Sequence, residues 1–309
     1  MKIVFMGTPE FAVPSLQTLL NSNHRLIGVV TAPDKPAGRG LKMTASPVKR
    51  ISVEHGIHPL QPEKLDDPDF LGRLRTMDAD CFVVVAFQIL PKAVFSIPPK
   101  GTFNCHASLL PKYRGAAPIN WALIHGERET GVTTFFIEKS VDTGEILVQR
   151  PIPLDEEITA GELHDRLAHL GAQVVLETVD GIEQGTLMPK RQNGFVTKAP
   201  KLTKELSKIE WHKPSKSLHN LIRGLSPVPG CRTQYKQKMI KLLKSRVVNN
   251  IGAEAKPGTI VAIEESGEPI VKTGKGVLAV CEVKPEGKRS MTAAEFCRGY
   301  HIKVGDVFG

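Results

Sequence analysis

The chain has 309 residues, 41% of them hydrophobic, and carries 41 Lys+Arg against 32 Asp+Glu for a formal charge of +9. That length exceeds the usual single domain and points to two, and the hydrophobic share is that of an ordinary globular protein. No segment approaches the roughly 20 apolar residues that a membrane-spanning helix needs, and the run Met1–Gly7 is too short for a signal peptide, so the expectation is a cytoplasmic protein with no membrane partner.

In chain order, short β-rich runs alternate with helical stretches over the first half, the pattern of a Rossmann-like, mostly parallel α/β sheet with flanking helices. Strands are expected at Lys2–Met6, Leu26–Thr31, Cys81–Ala86 and Thr102–His106, with helices near Glu10–Leu20, Pro47–His55, Asp67–Met77 and Pro118–His125. Two further strands are expected at Val132–Glu138 and Glu145–Ile152. Thr159-Ala160-Gly161-Glu162 fits a capping box, and Leu163, Leu167, Leu170 and Val174 share one helical face, so 160–184 reads as a helix closing a first domain, 1–184. Residues 185–208 are rich in Lys, Pro, Gly and Thr and read as a linker. Beyond it, a helix at Ser217–Leu225, strands at Met239–Val248, Thr259–Ile263 and Gly276–Val283, and a helix at Thr292–Arg298 suggest a smaller β-barrel domain, 209–309.

Charge is uneven along that division. Residues 1–200 hold 21 Lys+Arg against 22 Asp+Glu, while 201–309 hold 20 against 10. A near-neutral first part beside a basic second part fits chemistry in one and a polyanion on the other, although a merely soluble basic surface explains it equally. Cys81, Cys105, Cys231, Cys281 and Cys297 are scattered without a Cys-x-x-Cys pair and read as buried free thiols, not as zinc ligands or disulfides.

The stretch Phe103–Pro111 ends a predicted strand in an α/β sheet, and ligands of such sheets sit outside the carboxyl ends of strands. Side chains alternate along a strand, so Asn104 and His106 share a face and Cys105 takes the other, which argues against a Cys105-His106 dyad. An amide and an imidazole on one spot suit a reaction that stabilises an oxyanion and moves a proton. A hydrogen-bonded structural pair is the competing reading. Val141-Asp142-Thr143-Gly144 is a turn between two predicted strands, able to return a carboxylate to the same edge and fix the His106 ring, or simply to cap backbone amides. Gly7-Thr8-Pro9-Glu10 lacks the spacing of a dinucleotide loop, and Thr273-Gly274-Lys275-Gly276 reads as a hairpin turn, not a phosphate loop.

The run Asn104-x-His106-x-Ser108-Leu109-Leu110-Pro111, then Tyr113-Arg114-Gly115-Ala116-Ala117-Pro118-Ile119 and the later Asp142-Thr143-Gly144, resembles the signature of the folate-dependent formyltransferase superfamily. Gly7-Thr8-Pro9-Glu10-Phe11-Ala12, Pro36-Ala37-Gly38-Arg39-Gly40 and Ser46-Pro47-Val48-Lys49 make it most similar to the branch that acts on initiator methionyl-tRNA. The resemblance implies catalytic roles for Asn104, His106 and Asp142, a tetrahydrofolate-contacting segment at Ser108, Leu109, Leu110 and Pro111, and a tRNA contact at Arg39. It further implies 10-formyltetrahydrofolate as co-substrate with no metal, an OB-like second domain that holds tRNA, and a monomer. The chain departs from the family pattern at Ala86-Phe87-Gln88-Ile89-Leu90-Pro91, one residue shorter and without the usual glycine, and at Ser226-Pro227-Val228-Pro229. Two rivals remain at this point: a formyl-folate enzyme acting on a small amine, an amino sugar or water, and a non-catalytic tRNA-binding protein on the same fold.

Overall fold

In the computed structural model, which describes residues 1–37, 40, 42–248 and 254–309, the chain opens with β1 (Lys2–Gly7) and β2 (Arg25–Val30). A short hairpin of β3 (Lys35–Ala37) and β4 (Lys42–Thr44) follows. Next come β5 (Cys81–Val85), β6 (Thr102–His106), the two-residue β7 (Arg114–Gly115), β8 (Glu129–Phe136), β9 (Ile146–Pro153) and β10 (Lys198–Ala199). Six of these strands form one sheet in the order β2-β1-β5-β6-β8-β9. β1 is parallel to β2 and to β5, β5 is parallel to β6, and β8 runs antiparallel to β6.

Every residue of β5 is buried, as a strand covered on both faces requires, and this explains its uninterrupted apolar sequence. On one face, Val4, Met6, Phe82 and Val84 pack against Phe70, Leu71 and Leu74 of the helix Pro68–Thr76. On the other face, the Cys105 thiol reaches the Gly171 carbonyl of the long helix Ala160–Gln184. The chain leaves β1 toward β2 on one side and re-enters the sheet at β5 on the other. In sheets of this kind such a reversal is where ligands bind, outside the carboxyl ends of the strands, here β1 and β5 beside the end of β6.

Contacts group the chain into two units. The first comprises Met1–Gly115, Glu129–Ile152 and His164–Ala199, and the second Ala116–Arg128, Pro153–Leu163 and Pro200–Gly309. The sequence reading divides the chain serially at 184 and 208, whereas the second unit draws in 116–128 and 153–163. The reason is packing: Ile124, at the end of the helix Pro118–Ile124, lies against the second unit's core, and Asn120 Nδ2 donates to the Gly224 carbonyl at 2.8 Å. The acids of 153–163 also meet basic partners there, with Lys216 on Glu156 and Lys244 on Glu162 at 3.1 and 3.2 Å. Counted by unit, the charge imbalance shrinks to 20 Lys+Arg against 17 Asp+Glu in the first and 21 against 15 in the second.

The expected linker 185–208 is not a free connector over its first half. Lys190 exchanges backbone hydrogen bonds with Ile146, and β10 pairs in parallel with β7. A two-residue pairing has no periodicity to betray it, so composition alone reads this stretch as a loop.

The second unit holds β11 (Cys231–Tyr235), β12 (Lys238–Val248), β13 (Ile260–Ile263), β14 (Pro269–Lys272), β15 (Val277–Pro285) and β16 (Met291–Thr292). They make an antiparallel sheet in the order β11-β12-β15-β14-β13, with β16 on β15. The last residues of the chain cover both edges. Asp306 and Gly305 bond with Ile260 beside β13, and Gly309 exchanges two hydrogen bonds with Gln234 of β11. These bonds cover part of each edge strand, one of the ways a small β-domain shields its edges. Thr273–Gly276 is the turn between β14 and β15, with the Thr273 hydroxyl on the Lys275 and Gly276 carbonyls.

Two glycines give opposite expectations. Gly115 has φ +124, and a Cβ there would lie 2.6 Å from the Ala199 carbonyl oxygen, whereas a Cβ on Gly72, within the helix Pro68–Thr76, meets nothing within 4 Å. Gly115→Ala should destabilise the protein by about 1–3 kcal/mol and Gly72→Ala should stabilise it by about 0.5–1 kcal/mol, both read from urea melts.

Candidate active site

Strand β6 ends at His106, on the carboxyl edge of the sheet. Pairing with β5 sets Asn104 beside Val84 and Cys105 beside Val85, so Asn104 lies on the face that carries Phe82 and Val84. Cys105 faces the opposite helix, and burial pushes its thiol up to about 12. A thiol held that high is not a nucleophile at neutral pH. The Asn104 carboxamide makes no side-chain hydrogen bond among the described residues and is only partly buried, which leaves its donors available to a ligand.

His106 is buried and has partners at both nitrogens. Nε2 lies 2.8 Å from the Tyr113 carbonyl oxygen; a carbonyl only accepts, so Nε2 carries the hydrogen. Nδ1 faces Asp142 Oδ2 at 3.9 Å, an electrostatic approach longer than a hydrogen bond. The same Asp142 oxygen accepts the Gly115 N–H at 2.8 Å. Asp142 has φ +55, a left-handed conformation that aspartate tolerates in turns, and Gly144 has no room for a Cβ because the Phe136 carbonyl oxygen occupies that place. The turn thus brings the Asp142 carboxylate to the end of β6.

Ser108, Leu109, Leu110 and Pro111 follow directly. The Ser108 hydroxyl donates to the Lys112 carbonyl at 2.6 Å, closing a turn, and Leu110 is buried. Thr133 holds their backbone: its hydroxyl donates to the Ser108 carbonyl at 2.6 Å and accepts the Leu110 N–H at 3.2 Å. Gln149 Nε2 donates to that hydroxyl at 2.9 Å and to the Leu110 carbonyl at 3.0 Å. With Ser108 and Leu110 turned inward, Leu109 and Pro111 are the partly exposed side chains of the four. Thr133 and Gln149 are absent from the sequence reading; Thr133 stands opposite His106 in β8, so only the β6–β8 register could have found it.

Arg39 lies outside the described residues. On either side of it, β3 and β4 pair with Lys35 opposite Thr44 and Pro36 opposite Met43. Lys49 pairs with Asp34 at 2.7 Å and Arg50 with Glu10 at 2.9 Å. The bond from Lys49, then the one from Gln61, pulls the Asp34 carboxyl below the usual range. In the shortened loop after β5, Ala86 takes φ +47, Ile89 is exposed and Leu90 packs into the core.

Comparison with known proteins extends this geometry. Residues 1–179 match the formyl transferase family model and residues 201–301 the model of the formyl transferase C-terminal domain. The chain is 46% identical to the methionyl-tRNA formyltransferase of Caldanaerobacter subterraneus subsp. tengcongensis, over 99% of each chain. It is 43% identical to that of Clostridioides difficile over 100% of both. Among solved structures, HypX from Aquifex aeolicus in complex with tetrahydrofolic acid superposes with TM-score 0.66 at 17% identity, covering 99% of this chain and 48% of that one. The methionyl-tRNA formyltransferase from Clostridium thermocellum superposes with TM-score 0.56 at 16% identity, covering 81% and 95%. At those identities the structures speak for the fold, while the sequence relatives, matched end to end, show that the chain belongs to the methionyl-tRNA formyltransferase family.

Proposed function

We propose that the protein transfers the formyl group of 10-formyltetrahydrofolate to the α-amino group of methionine on initiator methionyl-tRNA, giving N-formylmethionyl-tRNA for translation initiation. The observation that carries this reading is the 46% identity over 99% of both chains, which takes in the C-terminal region as well as the sheet that bears Asn104 and His106. We further infer a cytoplasmic monomer, the state in which a soluble translation enzyme meets charged tRNA.

The chemistry follows from the groups at the end of β6. An α-amino group has a reference pKa of about 7.7–8.0, so a neutral fraction is present at pH 7 and attacks the formyl carbon without a strong base. A carbon–nitrogen bond forms and the formyl oxygen becomes an oxyanion. The Asn104 carboxamide, without a side-chain hydrogen bond among the described residues, supplies a donor for that charge. Collapse breaks the bond to the folate nitrogen, which takes up a proton as the attacking nitrogen loses one. His106, oriented by the Tyr113 carbonyl with Asp142 facing Nδ1, is the group to relay that proton. Leu109 and Pro111 offer the folate an apolar surface on a backbone braced by Thr133 and Gln149.

For the tRNA, support comes from the register of the second unit. Arg232 stands opposite Lys241 in the β11–β12 pair, and Lys241 opposite Lys284 in the β12–β15 pair, a row of three cations across neighbouring strands. The Arg232 guanidinium is held by the Ser207 hydroxyl and the Lys204 carbonyl; Lys241 and Lys284, like charges directly opposite on the sheet, are the pair that phosphates would relieve.

The deciding assay offers 10-formyltetrahydrofolate with charged initiator tRNA, with a nucleotide-linked amino sugar, or with water. N-formylmethionyl-tRNA should be the product; preferential formylation of the sugar, or formate released in water, would refute the reading. In that assay, Asn104→Ala, His106→Ala and Asp142→Ala should each lower turnover by about 10²–10⁴-fold. Cys105→Ala should leave it nearly intact, and iodoacetamide at pH 8 should spare activity, because the Cys105 thiol stays protonated until the pH nears its raised value of about 12. Lys241→Ala with Lys284→Ala should weaken tRNA binding and flatten the log affinity against log salt plot by about 2, with folate binding unchanged. If Arg39 positions the acceptor end, Arg39→Lys should lose most of the activity that Arg39→Ala loses, since lysine offers no bidentate fork; a diffuse field would instead let lysine restore it.

A further inference from the structure

Segment 190–199 lies against the catalytic turn, and one of its side chains touches both halves of the site. Gln192 Nε2 donates to the Asp142 carbonyl and to the Gly144 carbonyl, each at 2.9 Å. Gln192 Oε1 accepts from Arg114 Nε at 3.1 Å and from its Nη2 at 2.7 Å. A carboxamide has two N–H donors and two lone pairs on oxygen, so all four are used. The orientation of the amide is dictated by its partners: turning it over would set its oxygen against two carbonyl oxygens and its N–H groups against a guanidinium. Nearby, Thr197 accepts the Tyr113 N–H on its hydroxyl at 2.8 Å and the Arg114 N–H on its carbonyl at 3.0 Å.

These bonds bracket the groups around His106. Tyr113 supplies the carbonyl that holds Nε2, Gly115 the N–H that holds the Asp142 carboxylate, and Asp142 the charge that faces Nδ1. Arg114 sits between Tyr113 and Gly115 in sequence, so a side chain that fixes both Arg114 and the 142–144 turn fixes the separation of His106 from Asp142. We propose that Gln192 is a positioning residue for the formyl transfer: it clamps the Asp142–Gly144 turn to Arg114 and so holds the Asp142 carboxylate against His106. This rests on the catalytic reading of Asp142 given above.

Glutamate and leucine separate positioning from packing. Gln192→Glu keeps the size and strengthens the contact with Arg114, yet it sets a carboxylate oxygen against the two turn carbonyls. Gln192→Leu keeps bulk and loses every hydrogen bond. A misplacement of about 1 Å at a reacting group costs about 10²-fold, so both variants should lower kcat by about that factor while the KM values for formyl-folate and tRNA stay within about threefold. In the Asp142→Ala background, Gln192→Glu or Gln192→Leu should lower kcat no further, because the placement they disturb is that of a carboxylate already gone. A kcat for Gln192→Glu within about twofold of wild type, or losses that multiply in the double variant, would overturn the proposal and leave the role of Asp142 standing. Should Asp142→Ala itself keep full turnover, the catalytic reading falls and the proposal with it. If the leucine variant does not fold, the isosteric glutamate variant carries the same test alone.

Discussion

The hydrogen bond from the Gly115 amide to the Asp142 carboxylate, 2.8 Å long, joins two stretches that are distant in sequence and holds a negative charge at the end of β6. A partly buried carboxylate needs donors, and here the backbone supplies one. The consequence runs outward in both directions. Gly115 must lack a side chain so that Ala199 can approach, and β10 must pair with β7 for that approach to exist. Gly144 must lack one so that the turn can fold beneath Phe136. His106 receives its orientation from the same two stretches, through Tyr113 on one nitrogen and Asp142 facing the other.

The two faces of β6 divide the labour of the strand. One face gives Asn104 and His106 to the carboxyl edge of the sheet, and the other buries Cys105 against the helix Ala160–Gln184, where its thiol is held protonated by its apolar surroundings. Packing and chemistry are thereby kept apart on one five-residue element, as strand alternation permits. The segment Ser108–Pro111 that follows is built on the same logic. Ser108 and Leu110 are spent on the turn and the core, and a buried threonine and a glutamine from β8 and β9 hold the backbone that a ligand would meet.

Charge is organised at shorter range than the sequence suggests. The acids of 153–163 sit with the second unit and neutralise part of its surplus, and the cationic row Arg232, Lys241 and Lys284 comes from three strands that only register brings level. Net charge summed over a unit therefore says little about where its cations lie level with one another.

Strand alternation, apolar periodicity and cap residues were enough to define the main parallel strands, the long helix 160–184 and the opposite facing of His106 and Cys105, because these depend on neighbours within a few residues. The motif at Asn104–Pro111 likewise declared the family from residues contiguous in the chain, and the full-length relatives agree. The approach of Asp142 to His106, the bracing of Ser108–Pro111 by Thr133 and Gln149, the clamp at Gln192 and the membership of 116–128 and 153–163 in the second unit all join residues far apart in sequence. Segment 190–199 shows why: its polar, aperiodic composition reads as a connector, and its role comes from backbone and amide groups whose partners exist only after the sheet has formed. Local order was written in the sequence, while the assembly of the site depended on pairing register and on where each buried polar group found its partner.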